Sequence, residues 1–482
     1  MQAKNKYPLF TKAGLVGSGL ILGFMLSLTY SAVAEKMEKP QLPLDDLRAF
    51  AEVFGKIKSD YVEPVEDKKL ISDAISGMLT GLDPHSTYMD ADAFKDMQAS
   101  TQGEFGGLGI EVGMEDGLIK VISPIEDTPA YTAGIKSGDL IIKLDDTPVK
   151  GMSLNDAVKR MRGKPDTTVE LTVVRKSENK PLKFFLKRAI IKNKSVKYKL
   201  TEPGYAYLRI TQFQEHTGED LAKAIKVMHD ENKAPFKGFI LDLRNDPGGL
   251  LNAAVGVSAA FLPKDDLVVY TEGRAPDSKM QLTANPENYV RGGEANDYLR
   301  NLPADLKTVP MAVLINSGSA SASEIVAGAL QDHKRATLLG TQSFGKGSVQ
   351  TIMPMNNGAA IKLTTARYFT PNGRSIQAKG IVPDYIVDDG TDQSENIHEA
   401  DLTHHLANPT DAQAGVPIKS DETTIAKEVA KEKANEKKFA EHTAPIEPAS
   451  KDDIQFTQAI NFLKGIPVVQ SKPPKEDATK AN

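Results

Sequence analysis

Ser319, Ser321 and Ser323 form a cluster of small hydroxyl residues, and Ser321 stands 25 positions ahead of the lysine in Gly345-Lys346-Gly347. These types could perform acyl transfer, with a serine as nucleophile and the lysine as its base. Ser321 lies between Ala320 and Ala322, ahead of Glu324 and the apolar-periodic Ile325, Val326, Ala329 and Leu330. It is therefore predicted at the first turn of a helix, where unpaired backbone N–H groups and the positive end of the dipole favour a developing oxyanion. A serine hydroxyl is a weak nucleophile and needs a base. A lysine buried beside apolar groups gives up its proton more easily, and flanking glycines let its backbone approach another segment closely. Plainer readings use the same residues: the serines cap and pack a helix, and Gly-Lys-Gly is a solvated loop. Gly340 to Lys346 also has the G-x-x-x-x-G-K spacing of a phosphate-binding loop. That reading breaks at Gly347, which stands where Ser or Thr should hold magnesium, and the loop follows a helix instead of opening one.

Residues this far apart need a scaffold to bring them together, and from Lys192 onward the pattern is α/β. Tyr205 to Ile210 reads as a strand, Thr217 to Asp230 as an amphipathic helix, and Phe239 to Leu243 as a buried strand ending in Arg244-Asn245-Asp246-Pro247-Gly248-Gly249. Leu250 to Leu262 is then a helix. A strand running into Pro-Gly-Gly and a helix is a place where backbone N–H groups can converge, and two glycines let a carbonyl come close. By itself the motif is equally a turn. Met311 to Ile315 is the next buried strand, and in a parallel sheet it delivers Ser321 to the same C-terminal edge. A strand over 359–370, a turn at Pro371 to Arg374 and sheet elements near Tyr385 close the core. If 322–332 form one straight helix, Asp332 lies ~16 Å from Ser321 and His333 no closer, so a Ser-His-Asp triad is hard to assemble from it. Glu324, one turn from the serine, is read as an acceptor for backbone and not as a catalytic acid.

The 482 residues are 40% hydrophobic and 26% charged, room for more than one domain at ~150 residues each. A net charge of −5 argues against nucleic acid as the main partner, and the absence of cysteine removes disulfides, thiol catalysis and cysteine-ligated metals. Lys4, Lys6 and Lys12 precede an apolar run from Ala13 to Leu28, followed by Ala32 and Ala34 as an A-x-A site. This is an export signal over 1–34, cleaved after Ala34; an uncleaved inner-membrane anchor facing the periplasm is the alternative. Residues 43–102 show helical periodicity broken by Asp83-Pro84-His85-Ser86, where His85 is read as structural. Between 103 and 188 short strands alternate with turns. Residues 387–482 are polar and charge-mixed, so a largely mobile tail is expected, with a transient helix over 426–442, a short apolar helix near 453–464 and a disordered end from Lys472.

The strand-and-turn stretch resembles a PDZ domain. In that family the Gly-Leu-Gly-Ile type of loop, here Gly107, Leu108, Gly109 and Ile110, binds a peptide carboxylate through backbone N–H groups, and the adjoining strand and helix receive the peptide. Taken with the export signal, the Pro-Gly-Gly turn, the serine cluster and Gly-Lys-Gly, residues 43 to 386 resemble the carboxyl-terminal processing (tail-specific) serine proteases. The resemblance implies a multi-domain α+β chain: an N-terminal helical segment, a β-rich PDZ-like domain, an α/β protease core over 189–386 resembling the Clp protease/crotonase fold, and a C-terminal helical tail. It implies Ser321 as nucleophile, chosen over its neighbours by the spacing to Lys346, Lys346 as general base and Gln350 as its orienting partner. The oxyanion hole would be Ala322 N–H with a glycine of the Gly248-Gly249 pair. The expected activity is endoproteolysis of envelope proteins bound by their C-terminal tails, without metal or other cofactor, in a homo-oligomer and with room for an adaptor protein. A catalytically dead PDZ scaffold that captures C-termini is the alternative, and it leaves Ser321 and Lys346 unexplained.

Overall fold

The structure, a computed structural model, describes residues 43–471 apart from 116, 126, 179, 193, 391–395 and 414–446. The expected leader, the helix over 426–442 and the final segment from Lys472 lie outside the described residues. The chain divides into two compact units, before and after the Asp73–Ala74 bond. In the first, α1 (Leu44–Asp60) buries none of its residues, and Leu44, Leu47, Phe50 and Val53 form an exposed apolar stripe at a spacing of three. Helix α2 (Asp67–Thr80) runs from the first unit into the second.

The second unit begins with a turn at 83–86 and the short strand β1 (Thr87–Met89). Helix α3 (Ala91–Gln102) follows, its first turn capped by the Asp90 carboxylate, which accepts from Asp92 N–H and Ala93 N–H. Left-handed Gly103, at φ 76°, ends it. Strand β2 (Glu104–Gly107) then pairs antiparallel with β9 (Ala189–Lys192), a ribbon that brackets the PDZ-like module.

Within the bracket lie β3 (Ile110–Glu115), β4 (Leu118–Pro124), α4 (Pro129–Thr132), β5 (Leu140–Leu144), β6 (Thr147–Pro148), α5 (Leu154–Met161), β7 (Thr168–Val174) and β8 (Leu182–Lys187). They form an antiparallel sheet in the order β3-β4-β5-β7-β8, with β6 on β5. Period-2 patterning decides which side faces in: Val169, Leu171 and Val173 of β7 are buried with Ile119, Val121, Ile141 and Leu186. Each such side chain contributes ~1.5–3 kcal/mol by leaving water. Asp139 and Arg175 close one end of the module as a two-pronged ion pair of 2.7 and 2.8 Å.

The core sheet runs β10 (Val196–Glu202), β11 (Tyr205–Ile210), β12 (Gly238–Asp242), β15 (Met311–Ile315), β16 (Thr337–Gly340) and β19 (Tyr385–Ile386). Only the first pair is antiparallel. All five residues of β12 and of β15 are buried, the continuous apolar run of a parallel strand covered on both faces. Phe239, Leu241, Val313 and Ile315 pack with helices α6 (Thr217–Asn232) and α7 (Leu251–Phe261) and with the helix that follows Ser321. Ile240, Ala312 and Leu314 point the other way, onto Ala459 and Ile460 of the helix Ile454–Leu463. The second sheet is β1-β18-β13-β14, with β17 on β18. Its members are β13 (Leu267–Gly273), β14 (Gln281–Thr283), β17 (Ser348–Pro354) and β18 (Ala360–Phe369).

The described part of the tail packs against the core. The helix Ile454–Leu463 covers the back of the core sheet, and the described part of the tail also buries Glu399, Asn408, Asp453 and Gln455. A polar composition conceals these residues because their partners, Arg244 for Asp453 and His85 for Glu399, lie far away in sequence. Among the described residues no helix is long and apolar enough to cross a membrane.

Candidate active site

Strands β12, β15 and β16 are neighbours and parallel, so the three loops leaving their C-terminal ends share one edge. These are the Arg244–Gly249 turn, the Asn316–Ser321 loop and the 341–347 loop that carries Lys346. Side chains clip them together. Asn245 and Asn316 exchange bonds of 2.9 Å, the Ser319 hydroxyl donates to Leu243 O at 2.7 Å, and the Ser323 hydroxyl donates to Asp246 O at 2.9 Å. Ser319 and Ser323 are fully buried and spent in these contacts. Ser321 remains, half-buried at the start of α8 (Ala322–Asp332). Its backbone is at φ 56°, ψ −111°, a conformation costing a non-glycine residue ~1–3 kcal/mol and held only where the surroundings enforce it.

Glu324 enforces it. Its carboxylate has no exposed surface and accepts four bonds: from Ser321 N–H (2.8 Å) and Lys346 N–H (2.9 Å) on Oε2, and from the Ser343 hydroxyl (2.5 Å) and Gly345 N–H (2.7 Å) on Oε1. Burial pushes this acid up to about 7 against those four bonds. Ser321 and Lys346 are thus tied by their backbones to one oxygen atom. The phenol of buried Tyr368 ties them again, its one proton shared between Ser321 O and Lys346 O. No hydrogen bond joins Ser321 Oγ to Lys346 Nζ in this arrangement. Burial, then the nearby positive charge of Lys362, pulls the Lys346 ammonium down to about 8, while Glu399, Glu324 and Asp83 act in the opposite sense. Gln350, on β17, donates from Nε2 to the Ser348 hydroxyl at 3.0 Å and to the Thr364 hydroxyl at 3.2 Å.

The Pro-Gly-Gly turn lies against the serine. A methyl group on Gly248 would come within 2.7 Å of Ala320 O and 2.8 Å of Ala322 N, and φ is +96° there. Gly248 N–H donates to Asp246 Oδ1 at 2.9 Å, whereas the N–H groups of Ala322 and Gly249 have no acceptor among the described residues. Asp246 is fully buried, its Oδ2 has no hydrogen-bond partner among the described residues, and burial pushes it up to about 8. Asp332 pairs with Arg374, and His333 Nε2 lies 2.7 Å from Leu267 O, so both are engaged elsewhere.

In the PDZ-like module, Gly107, Leu108, Gly109 and Ile110 line a cavity of about 80 Å³ with Phe105, Val112, Val158, Met161 and Arg162, between β3 and α5. The N–H groups of Leu108 and Gly109 have no acceptor among the described residues. Gly109, at φ +75°, has no room for a side chain beside Thr128.

Sequence reasoning missed Asp246, Lys362, Thr364 and Tyr368, and took His85 as a structural turn residue. The structure sets His85 Nε2 2.7 Å from buried Glu399. The signal for Asp246 was present: an acid wedged between a buried strand and Pro-Gly-Gly has little access to water. Nothing local marks Lys362 or Thr364, which share one face of an ordinary strand.

The sequence profile of peptidase family S41 matches residues 204–387, that of the PDZ domain 106–184, and that of the "activating protease CtpB N-terminal domain" 24–93. A carboxy-terminal-processing protease of Bartonella bacilliformis is 43% identical over 455 residues, 92% of this chain and 95% of its own length. The carboxy-terminal processing protease CtpB of Bacillus subtilis is 38% identical over 331 residues, 68% of this chain and 65% of its own. Among solved structures, a photosystem II D1 C-terminal processing protease matches at 28% identity and a TM-score of 0.40, covering 70% of this chain and 86% of that one. The chain belongs to the carboxy-terminal processing protease family, serine endopeptidases that carry a PDZ domain beside the peptidase core.

Proposed function

We propose that Ser321 is the nucleophile of this C-terminal processing protease, Lys346 its general base and Gln350 the residue that orients the lysine. Neutral Lys346 takes the Ser321 hydroxyl proton as Oγ attacks the scissile carbonyl carbon, and the carbonyl oxygen becomes an oxyanion held by Ala322 N–H and Gly249 N–H. Gly248 can join them only by leaving Asp246. The lysine proton passes to the departing amine as the C–N bond breaks. Water, losing a proton to Lys346, then attacks the acyl-enzyme, and Ser321 leaves with that proton. The PDZ module holds the substrate's terminal carboxylate on the N–H groups of Leu108 and Gly109, with its last side chain in the apolar groove.

The observation that carries this reading is the shared Glu324 oxygen, which binds Ser321 N–H and Lys346 N–H while Ser319 and Ser323 are occupied elsewhere. Purified Ser321→Ala and Lys346→Ala variants should lose cleavage of a tailed substrate by at least about 10³-fold and still melt cooperatively. Near-normal proteolysis by either variant sinks the dyad. Because the base must be neutral and its lysine is drawn down to about 8, kcat/KM should climb with pH through that value. A rate flat across it counts against lysine.

We place the enzyme in the cell envelope, on the strength of the Lys4–Ala34 leader pattern. Cytoplasmic fractionation contradicts this, and a mature N-terminus other than Glu35 contradicts cleavage after Ala34. Self-association through the apolar stripe of α1 and recruitment of an adaptor belong to the same proposal, and light scattering of the mature protein reads the former.

A further inference from the structure

The base is buttressed by a turn that lies well outside the 204–387 peptidase profile. Asp83, only 4% exposed, accepts from His85 N–H (2.9 Å), Ser86 N–H (3.0 Å), the Ser86 hydroxyl (2.7 Å) and the Thr364 hydroxyl (3.0 Å). Burial alone would raise this acid, but the four donors take it below its usual value, so it is ionised and can only accept. That sets the polarity of everything beyond it. Thr364 spends its hydroxyl proton on Asp83 and must therefore accept from Gln350, whose Nε2 faces it at 3.2 Å. Thr364 and Gln350 stand directly opposite on β18 and β17. With both Nε2 protons used, on Thr364 and Ser348, the end of the amide left for a lysine is Oε1, the one atom of the group able to accept from an amine.

The same turn holds the other flank of the lysine. His85 Nε2 is 2.7 Å from Glu399 Oε2, Gln377 Nε2 donates to Glu399 Oε1 at 2.9 Å, and Gly347 N–H donates to Gln377 Oε1 at 3.0 Å. Glu399 and Gln377 are buried. Strand β1 carries the turn into place by pairing Thr87 with Lys362 on β18.

We propose that the Asp83–Ser86 turn belongs to the catalytic apparatus, with Asp83 acting through Thr364 as a positioning residue that fixes the Gln350 amide so that Oε1 is presented to Lys346. The inference rests on the Ser321/Lys346 reading. The charged groups that act on Lys346 are Lys362, Glu399, Glu324 and Asp83. Asp83 favours the ammonium, so removing its charge lowers the pH at which the base is freed.

The test uses the full chain and a tailed substrate. Thr364→Val keeps the strand and its volume but breaks the relay; kcat should fall about 10- to 100-fold with KM unchanged, and Thr364→Ser should restore it. Asp83→Asn should lower the pH midpoint of kcat/KM and reduce its plateau. A Thr364→Val enzyme within twofold of wild type, or an Asp83→Asn enzyme with an unmoved midpoint, overturns the inference while inactive Ser321→Ala and Lys346→Ala leave the dyad standing. If Thr364→Val does not fold, the Asp83→Asn profile decides. An active Lys346→Ala overturns the dyad and this inference together.

Discussion

At the C-terminal edge of β12, β15 and β16, the loops are pinned by side chains from all directions: four donors converge on Glu324, two loop carbonyls on one phenol, and two asparagines on each other. In the groove between β3 and α5 the opposite holds. Its walls are apolar except for Arg162, and the N–H groups of Leu108 and Gly109 have no acceptor among the described residues. The contrast follows from the tasks. Acyl transfer rewards groups already fixed where charge will develop, because no reorganisation is then needed in the transition state. Capture of a chain terminus rewards donors left free and a surface tolerant of several side chains.

Glu324→Gln strikes the pinned region hardest. Each carboxylate oxygen takes two donors, so whichever way the amide turns, its NH₂ faces two of them. A stability loss of ~3 kcal/mol by chemical denaturation is expected, together with a fall in kcat of about 10²-fold; wild-type values for both would mean that the edge is not held by this carboxylate. Gly248→Ala is a narrower insult, since its methyl must press on Ala320 O and Ala322 N from a strained φ. It should lower kcat by about 10²-fold, the scale for losing one oxyanion donor, with folding preserved by circular dichroism. Smallest is Val158→Arg in the groove, which should raise KM for a tailed substrate about tenfold, an effect on binding that ground state and transition state share. A dominant kcat effect there would erase the distinction between the two regions.

Arg244 connects the edge that carries Ser321 to the back of the sheet. From the turn that leads to Gly248, its guanidinium reaches Asp242 at 2.7 Å and, on the other side, Asp453 Oδ1 and Oδ2 at 2.8 and 2.7 Å, with Gln455 Oε1 at 2.9 Å. Breaking such a buried pair on one side leaves an uncompensated charge, which is why a helix in a polar tail is integral to the core.

Much of this was legible in the residues themselves. Ser321 before an apolar-periodic helix, Lys346 between glycines, Pro-Gly-Gly after a buried strand and the Gly107–Ile110 loop are local signals, because helix starts, tight turns and close backbone approaches each demand particular residue types within a few positions. The continuous apolar runs at 239–243 and 311–315 likewise announced strands covered on both faces. What covers the second face was not legible, nor was the choice among three serines by hydrogen bonding, the commitment of Gly248 N–H to Asp246, or the passage from Asp83 through Thr364 to Gln350. These join residues separated by up to 281 positions, and a hydrogen bond between distant residues imposes no periodicity on the chain. Sequence alone determined the chemical parts and the local turns that expose them; the tertiary structure decided which carboxylates are dry, which donors are spent and that burial draws the Lys346 ammonium down, because burial and charge proximity exist only after the chain has folded.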